Sequence, residues 1–526
     1  MPEAIWISLA FVLGLLIKSI GLPPLIGYLG AGFVLSAIAA TPSIPLYPEP
    51  TAALAHIAHL GVLLMLFTVG LKLKLRSVIR PEVIGGSLLH FGITCLVFAP
   101  GLYLLLDITW YVAFMLAVAL SFSSTVLAAK VLENKRELRA FHGRVSIGIL
   151  IMQDLIALLV MSLAAGQTPS GWALIVFGLP LLRPLLFKLL DASGHDELLV
   201  LLGMLLALVL GGLGFEAVGL SSELGALIFG AILANHPRSQ ELAKSLWSVK
   251  EIFLVGFFLQ IGIGGLPDTD AIVFAIVAAL VLPIKGILFF FLMLLFRLRA
   301  RSGFLTSLAL TNYSEFGLIV ASIALPEWLV PLAITVALSF LISAPLNRLA
   351  HPLYERLSPR LVRFESQKRH PDELPISLGD TRILVMGMGR TGTAAYDWLQ
   401  TTEARLMALD SDLAKVERHQ AQGRNVVYAD AEDNTFWEAL HMPAVEAVVL
   451  AMSDIEAKLI AARMLRKLGF TGYIVAHTMF ADEAERICEA GADNTYLTMS
   501  ETGVALASHL LSRITQAPAL HSEKAS

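Results

Sequence analysis

Thirteen apolar runs fill the first two thirds of the chain, near residues 4–20, 23–41, 52–71, 83–106, 109–130, 144–165, 171–190, 197–214, 221–235, 247–265, 270–296, 303–324 and 328–350. Their lengths, roughly 15 to 27 residues, bracket what a helix needs to cross about 30 Å of hydrocarbon. With 56% hydrophobic and 15% charged residues overall, this is the composition of a polytopic membrane protein. The runs stop near Pro352, and soluble composition follows. The expected organisation is a membrane domain at 1–352, a polar linker at 353–379, a second domain at 380–515 and a tail at 516–526.

Positive charge is confined to alternate loops. One set holds Lys72, Lys74, Arg76 and Arg80, then Lys130, Lys135, Arg136, Arg139 and Arg144, then Arg183 and Lys188, and later Arg238, Lys244, Lys250, Arg297, Arg299 and Arg301. The loops between them, such as TPSIPLYPEP and GGLPDTD, hold none. Because translocation of Lys and Arg is disfavoured, the pattern predicts an odd number of spans, the N-terminus outside and the C-terminal region in the cytoplasm. The start, Pro2-Glu3, is no basic leader, and the first run reads as a retained span. Cys95 and Cys488 fall in different regions, so no disulfide is expected, which suits a reducing compartment. No nucleic-acid partner is indicated.

Two spans are poor continuous helices. The fifth contains Ser121, Ser123, Ser124 and Thr125, and the twelfth contains Thr311, Asn312, Ser314, Glu315 and Gly317. Breakable polar backbone at membrane depth lines a cavity or is buried in protein. Two such segments point to crossed discontinuous helices around an ion site.

Three ionisable residues sit inside predicted spans: Asp154, Lys285 and Glu315. A charge at the bilayer centre costs at least about 2.5 to 3.5 kcal/mol, so each needs a role, either as a tie between helices or at an ion site. Asp154 follows Gln153 in GILIMQDLIALLV. A carboxylate near the hydroxyls of a broken helix supplies hard oxygen ligands for a small cation, and the same carboxylate binds a proton. A site that holds one or the other exchanges them when access alternates. Gln153 does not titrate, so one proton per monovalent cation, an electroneutral exchange, is expected. His56 and His59 lie three apart on one helical face, but no third metal ligand accompanies them.

The soluble region begins with a strand, Ile383 to Met386, leading into Gly387-Met388-Gly389-Arg390-Thr391-Gly392 and a helix. Such glycines allow a tight turn and let backbone N–H groups approach a pyrophosphate at the helix N-terminus. A second strand ends in Asp410, placed for a ribose hydroxyl, and a third leads to Asp430, placed for the adenosine end. Alternating strands and helices continue to about Ala490 and predict a doubly wound parallel sheet. No second domain with an acid/base pair follows, which argues against a dehydrogenase.

Together these pieces resemble the cation:proton antiporter superfamily in its Kef-type potassium:proton branch, followed by a TrkA-N (RCK N-lobe) nucleotide-binding domain. The matching stretches are PLIGYLGAG, LGVLLMLFTVGL, SFSSTVLA, Gln153-Asp154, FFLQIGI, Lys285, Ser314-Glu315-Phe316 and GMGRTG with Asp410. The resemblance implies an inverted-repeat membrane fold that dimerises in the lipid bilayer of a bacterial inner membrane. It implies potassium or sodium exchanged for protons at Asp154, with Thr125 and Ser123 lining the crossing, Ser124 beside them and Lys285 offsetting charge. It also implies paired cytoplasmic domains that gate transport through an adenine nucleotide, AMP or NAD(H). Where glutathione-gated members carry an acidic loop, this chain has Gln240 to Ser245 with Glu241 as its one acid, and Lys72 stands where many relatives have Glu. A nucleotide-gated cation channel is the alternative function, although no filter-like Thr-Val-Gly-Tyr-Gly stretch is present.

Overall fold

The computed structural model describes residues 2–39, 52–71, 79–135, 137–138, 140–164, 178–179, 181–366, 368, 370, 377–403, 405–429, 431, 436–437 and 440–516. Asp430, Lys72, Lys74, Arg76, Arg136 and Arg139 lie outside them, as do residues 171–177 and 180 of the run expected at 171–190. The chain forms two compact units, Met1–His370 and Pro371–Ser526. Both cysteines are free, Cys95 buried and Cys488 exposed.

The first unit is helical: α1 (Pro2–Ser19), α2 (Leu25–Ala39), α3 (Ala52–Leu71), α4 (Pro81–Leu106), α5 (Trp110–Ser121), α6 (Thr125–Asn134), α7 (Phe141–Ala164), α8 (Arg183–Ala192), α9 (Glu197–Ala217), α10 (Ser222–Leu233), α11 (Ser239–Ser245), α12 (Trp247–Ile263), α13 (Thr269–Leu295), α14 (Ala300–Leu310), α15 (Glu315–Ala324), α16 (Leu329–Arg348) and α17 (Ala350–Leu361). Among the described residues seven helices are long and apolar enough to cross a membrane, or eight if α11 and α12, bent by 47°, count as one span. α9 contains a π-helical stretch at Leu205–Leu213, which the sequence reading does not foresee.

The helices pack as two bundles. In one, α1, α2, α3, α9, α10 and α12 adjoin. Their seams are backbone against backbone: a Cβ on Gly32 would lie 2.7 Å from the Cα of Gly262, and one on Gly230 would lie 3.0 Å from the Cα of Gly70. Small residues give membrane helices their close approach, since lipid supplies no hydrophobic drive for helix association. The other bundle holds α4, α5, α6, α7, α13, α14, α15 and α16. Both breaks are there, at Phe122–Ser124 between α5 and α6 and at Thr311–Ser314 between α14 and α15, where the polar runs place them.

The second unit is a parallel six-stranded sheet in the order β3-β2-β1-β4-β5-β6: β1 (Ile383–Met386), β2 (Leu406–Asp410), β3 (Val426–Tyr428), β4 (Ala447–Leu450), β5 (Tyr473–Thr478) and β6 (Asn494–Leu497). Its helices are α18 (Arg390–Gln400), α19 (Leu413–Ala421), α20 (Ile455–Lys467), α21 (Ala481–Glu489) and α22 (Thr498–Gln516). Strand order reverses between β1 and β4, the position where such sheets bind ligands beyond their strand ends. β6, an edge strand, is an addition to the strands foreseen.

Candidate functional site

The break in the fifth span ends α5 at Ser121 and restarts helix at Thr125, leaving backbone groups that must be satisfied inside the protein. Gln153 does part of this. Its amide oxygen accepts from the Ser123 N–H at 3.0 Å, and its amide nitrogen donates to the Ser121 carbonyl at 3.4 Å. Gln153 is therefore a brace across the break. Ser124 caps α6, its hydroxyl accepting from the Leu127 N–H at 3.2 Å.

The second break meets the first. The Ser123 hydroxyl donates to the Leu310 carbonyl at 2.8 Å, where α14 ends, and the Ser124 N–H donates to the Asn312 side-chain oxygen at 2.6 Å. The Lys285 ammonium, only 4% exposed, donates to the carbonyls of Leu120 at 3.2 Å, Phe122 at 2.6 Å and Asn312 at 2.8 Å. Those carbonyls cluster at the C-terminal ends of α5 and α14, where the helix dipoles concentrate negative partial charge. A cation there satisfies three orphan acceptors at once. Gly286 beside it is required sterically, since a Cβ would come 2.5 Å from the Thr311 hydroxyl oxygen.

Asp154, on α7 next to Gln153, is 2% exposed. The Thr125 hydroxyl, opening α6, lies 3.4 Å from Oδ1 and 3.3 Å from Oδ2. The structure thus brings Gln153, Asp154, Ser123, Ser124, Thr125 and Lys285 to one crossing. Glu315 begins α15 and is 4% exposed, and neither carboxyl oxygen has a hydrogen-bond partner of ordinary geometry among the described residues. Its place in the first turn suits a negative charge. Gly317, two residues on, lets α15 approach α5: a Cβ would lie 2.5 Å from the Ala119 carbonyl oxygen.

Two participants escape the sequence reading. Asn312, read only as one of several polar residues, joins the two breaks. His90 on α4 is fully buried and stacks flat on Phe289 at 3.8 Å, one turn from Lys285. The weaker pair does not assemble: His56 is exposed, and His59 faces Ser222 at 3.5 Å and Glu223 at 3.9 Å. Among the described residues no group of three side chains could hold a metal ion.

In the second unit, Gly387 has φ +99° and a Cβ there would lie 2.6 Å from the Met452 nitrogen. A Cβ on Gly392 would collide with the Gly387 carbonyl, whereas around Gly389, which precedes α18, there is open space. The first turn of α18 has no side-chain cap, so its N–H groups remain available to an anion. Asp410 fastens this loop: Oδ2 accepts from the Met388 N–H at 2.6 Å and Oδ1 from the Asp412 N–H at 2.8 Å. His419 faces the Met388 carbonyl at 3.2 Å. Arg390 and Thr391 are exposed at the helix start. These features fit a phosphate-bearing nucleotide.

Comparison with known proteins agrees with both halves. Residues 7–348 match the family described as sodium/hydrogen exchanger, transmembrane, and residues 383–498 match the TrkA-N domain. The putative cation/proton antiporter YbaL of Escherichia coli (strain K12) is 26% identical over 93% of this chain and 93% of its own length. The glutathione-regulated potassium-efflux system protein KefC of Cronobacter sakazakii is 28% identical over 93% of this chain and 79% of its own, and the putative K(+) efflux antiporter KefB of Alkalimonas amylolytica is 26% identical over 96% and 81%. Among solved structures, the sodium proton antiporter MjNhaP1 from Methanocaldococcus jannaschii covers 69% of this chain and 100% of its own, at 16% identity and a TM-score of 0.46. The TrkA-N domain of the Escherichia coli inner membrane protein YbaL covers 25% and 96%, at 18% identity and a TM-score of 0.23.

Proposed function

This chain belongs to the sodium/hydrogen exchanger family, and on that footing we propose that it exchanges potassium for protons at Asp154 under the control of an adenine nucleotide held by its TrkA-N domain. Family membership favours the antiporter over the channel. The observation that carries the site is Asp154 itself: a carboxylate 2% exposed, touched by the Thr125 hydroxyl where two broken helices meet. In that position it binds a proton or a dehydrated monovalent cation, and exposure of the loaded site to alternate sides couples the two.

The roles divide by geometry. Asp154 takes cargo, Thr125 supplies an oxygen ligand, and Gln153, Ser123 and Ser124 hold the break open. Lys285 neutralises the converging helix C-termini, and Glu315 supplies a second buried carboxylate at the start of α15. With Gln153 uncharged beside Asp154, exchange is electroneutral. Potassium rather than sodium is favoured by the names of two relatives, both potassium-efflux proteins. The nucleotide is AMP or NAD(H): its phosphates rest on Gly387, Met388, Gly389, Arg390, Thr391 and Gly392, its ribose is near Asp410, and Asp430, which lies outside the described residues, is the sequence's candidate for the adenosine end. The protein sits as a homodimer in a bacterial inner membrane, N-terminus outside and nucleotide domain in the cytoplasm, and serves pH homeostasis.

The test is cation-driven proton movement in proteoliposomes, followed with an internal pH dye as potassium or sodium is added outside. Wild type alkalinising its lumen while Asp154→Asn does not is the expected result. Equal activity in both makes Asp154 structural.

A further inference from the structure

The segment that follows the last span is packed, and what it packs against is specific. Leu353, Leu357 and Leu361 of α17 lie on Phe290, Phe304 and Leu305 of α13 and α14. His351 brings Nε2 to 2.5 Å from one carboxyl oxygen of Glu137, whose other oxygen is 3.2 Å from His142 Nε2. His142 opens α7, the helix that carries Gln153 and Asp154. Beyond α17 the contacts continue. Phe364 meets Phe291 edge-on at 5.5 Å, on the helix that carries Lys285. The carboxylate of Glu365 accepts from the Ala300 N–H at 2.7 Å and so caps the start of α14, whose far end supplies the carbonyls at the crossing. His370 closes the run, its ring stacked on Phe141 at 4.8 Å and its N–H donating to the Arg297 carbonyl at 3.0 Å.

We propose that residues 350–370 form a coupling strap, in which His351 and Glu365 grip the near ends of α7 and α14 and pass changes in the nucleotide-binding unit to the crossing at Asp154. Of the helices that build the crossing, the strap holds three: α7 through Glu137 and Phe141, α13 through Phe291, α14 through Ala300. Helices are stiff along their axes, so a tug on the first turn of α7 or α14 is felt at Asp154 or Leu310 on the same rod. In sequence, His370 is followed directly by the second unit, which begins at Pro371. The chemistry of the grips differs in a useful way. Glu365 acts on a helix N-terminus, where a carboxylate is favourable and its loss unwinds the first turn. Glu137 acts as a shared acceptor, so releasing His351 leaves His142 in place.

This inference rests on reading the first unit as the transporter and the second as its nucleotide-controlled regulator, and the experiment separates the two. Full-length wild type, His351→Ala, Glu365→Ala and the conservative His351→Gln are reconstituted. Cation-driven proton flux is measured with and without AMP or NADH, and nucleotide binding to the same preparations is titrated. In parallel, amide deuterium exchange is followed in residues 141–154 and 300–312 of each full-length protein. Expected is at least threefold faster exchange in those segments for the two alanine variants, nucleotide binding as in wild type, loss of the nucleotide effect on flux, and recovery with His351→Gln, whose amide still donates. Unchanged exchange in both alanine variants overturns the strap. So does a wild-type nucleotide response retained in both. If wild type itself ignores every nucleotide while the alanine variants still loosen α7 and α14, the regulatory reading of the second unit fails and the mechanical link stands.

Discussion

The Ser124 N–H donates to the side-chain oxygen of Asn312 at 2.6 Å, a bond between residues 188 positions apart that ties the break in one helix to the break in another. Removing the acceptor orphans a buried donor, which costs about 1–3 kcal/mol. Asn312→Ala is therefore expected to lower the thermal midpoint of the detergent-solubilised protein and to abolish proton–cation exchange. A variant that transports at the wild-type rate would show the crossing to be held by other means.

Lys285 is bonded to three carbonyls, so its charge serves the backbone. Lys285→Met should destabilise by about 3 kcal/mol or more, because several acceptors lose their donor together. Were Lys285 present chiefly to balance Asp154, pairing Lys285→Met with Asp154→Asn would restore stability. No such rescue is expected, and thermal midpoints of the two single variants and the double variant decide it.

Exchange stoichiometry tests the pairing of Gln153 with Asp154. Gln153→Asp adds a titratable group but keeps an acceptor for the Ser123 N–H. The wild type is expected to show no transport current at any imposed potential, and the variant to become sensitive to potential. A wild-type current that persists in Gln153→Asp and disappears in Glu315→Gln would move the second proton to Glu315.

The strap has a pH signature. Burial alone would raise the Glu137 carboxyl, but hydrogen bonds from His142 and His351, with their charge, outweigh it and hold the group well below the usual carboxylate range. A folded-state value below the unfolded one, about 4.3, means the stabilisation is present above that pH and is lost as pH falls below it. The gap in thermal midpoint between wild type and Glu137→Gln should be full at pH 7 and shrink progressively below about pH 4.3. A gap that widens on acidification would contradict the assignment.

In the nucleotide unit, Gly387→Ala forces a side chain into a backbone of φ +99° and against the Met452 nitrogen. A strain of about 1–3 kcal/mol is expected, together with at least a tenfold loss of AMP or NADH affinity in the full-length protein. Asp410→Ala releases the loop and should weaken binding similarly, without the strain. Normal affinity in both would place the ligand elsewhere.

How much of this could be read from sequence depends on whether the cue is local. Polar residues in an apolar run announce themselves, so both breaks and the buried acid were legible, as were the glycines of the β1–α18 turn. Lys285 was visible as a buried charge, but its partners are backbone carbonyls, which no side-chain pattern records. Asn312 looked like one polar residue among several, because its partner lies in another span. His90 sits in an otherwise apolar helix and carries no motif. β6 reads Asn-Thr-Tyr-Leu, half exposed at a sheet edge, and lacks the buried apolar run that marks β1 and β4. The linker was read from its charge, which hides that Phe364 and Glu365 have fixed partners.

The glycine seams of the first bundle set a mechanical contrast with the second. Where the Cα atoms of Gly32 and Gly262 nearly abut, no side chain is left to yield, and sliding by a fraction of an ångström drives main-chain atoms into one another. At the crossing the helices are instead joined by hydroxyls, amides and the Lys285 ammonium, each bonded to a defined acceptor. Close approach of main chain to main chain is therefore how the first bundle joins its helices, whereas the second adds polar side-chain bonds to the single Gly317–Ala119 contact already described.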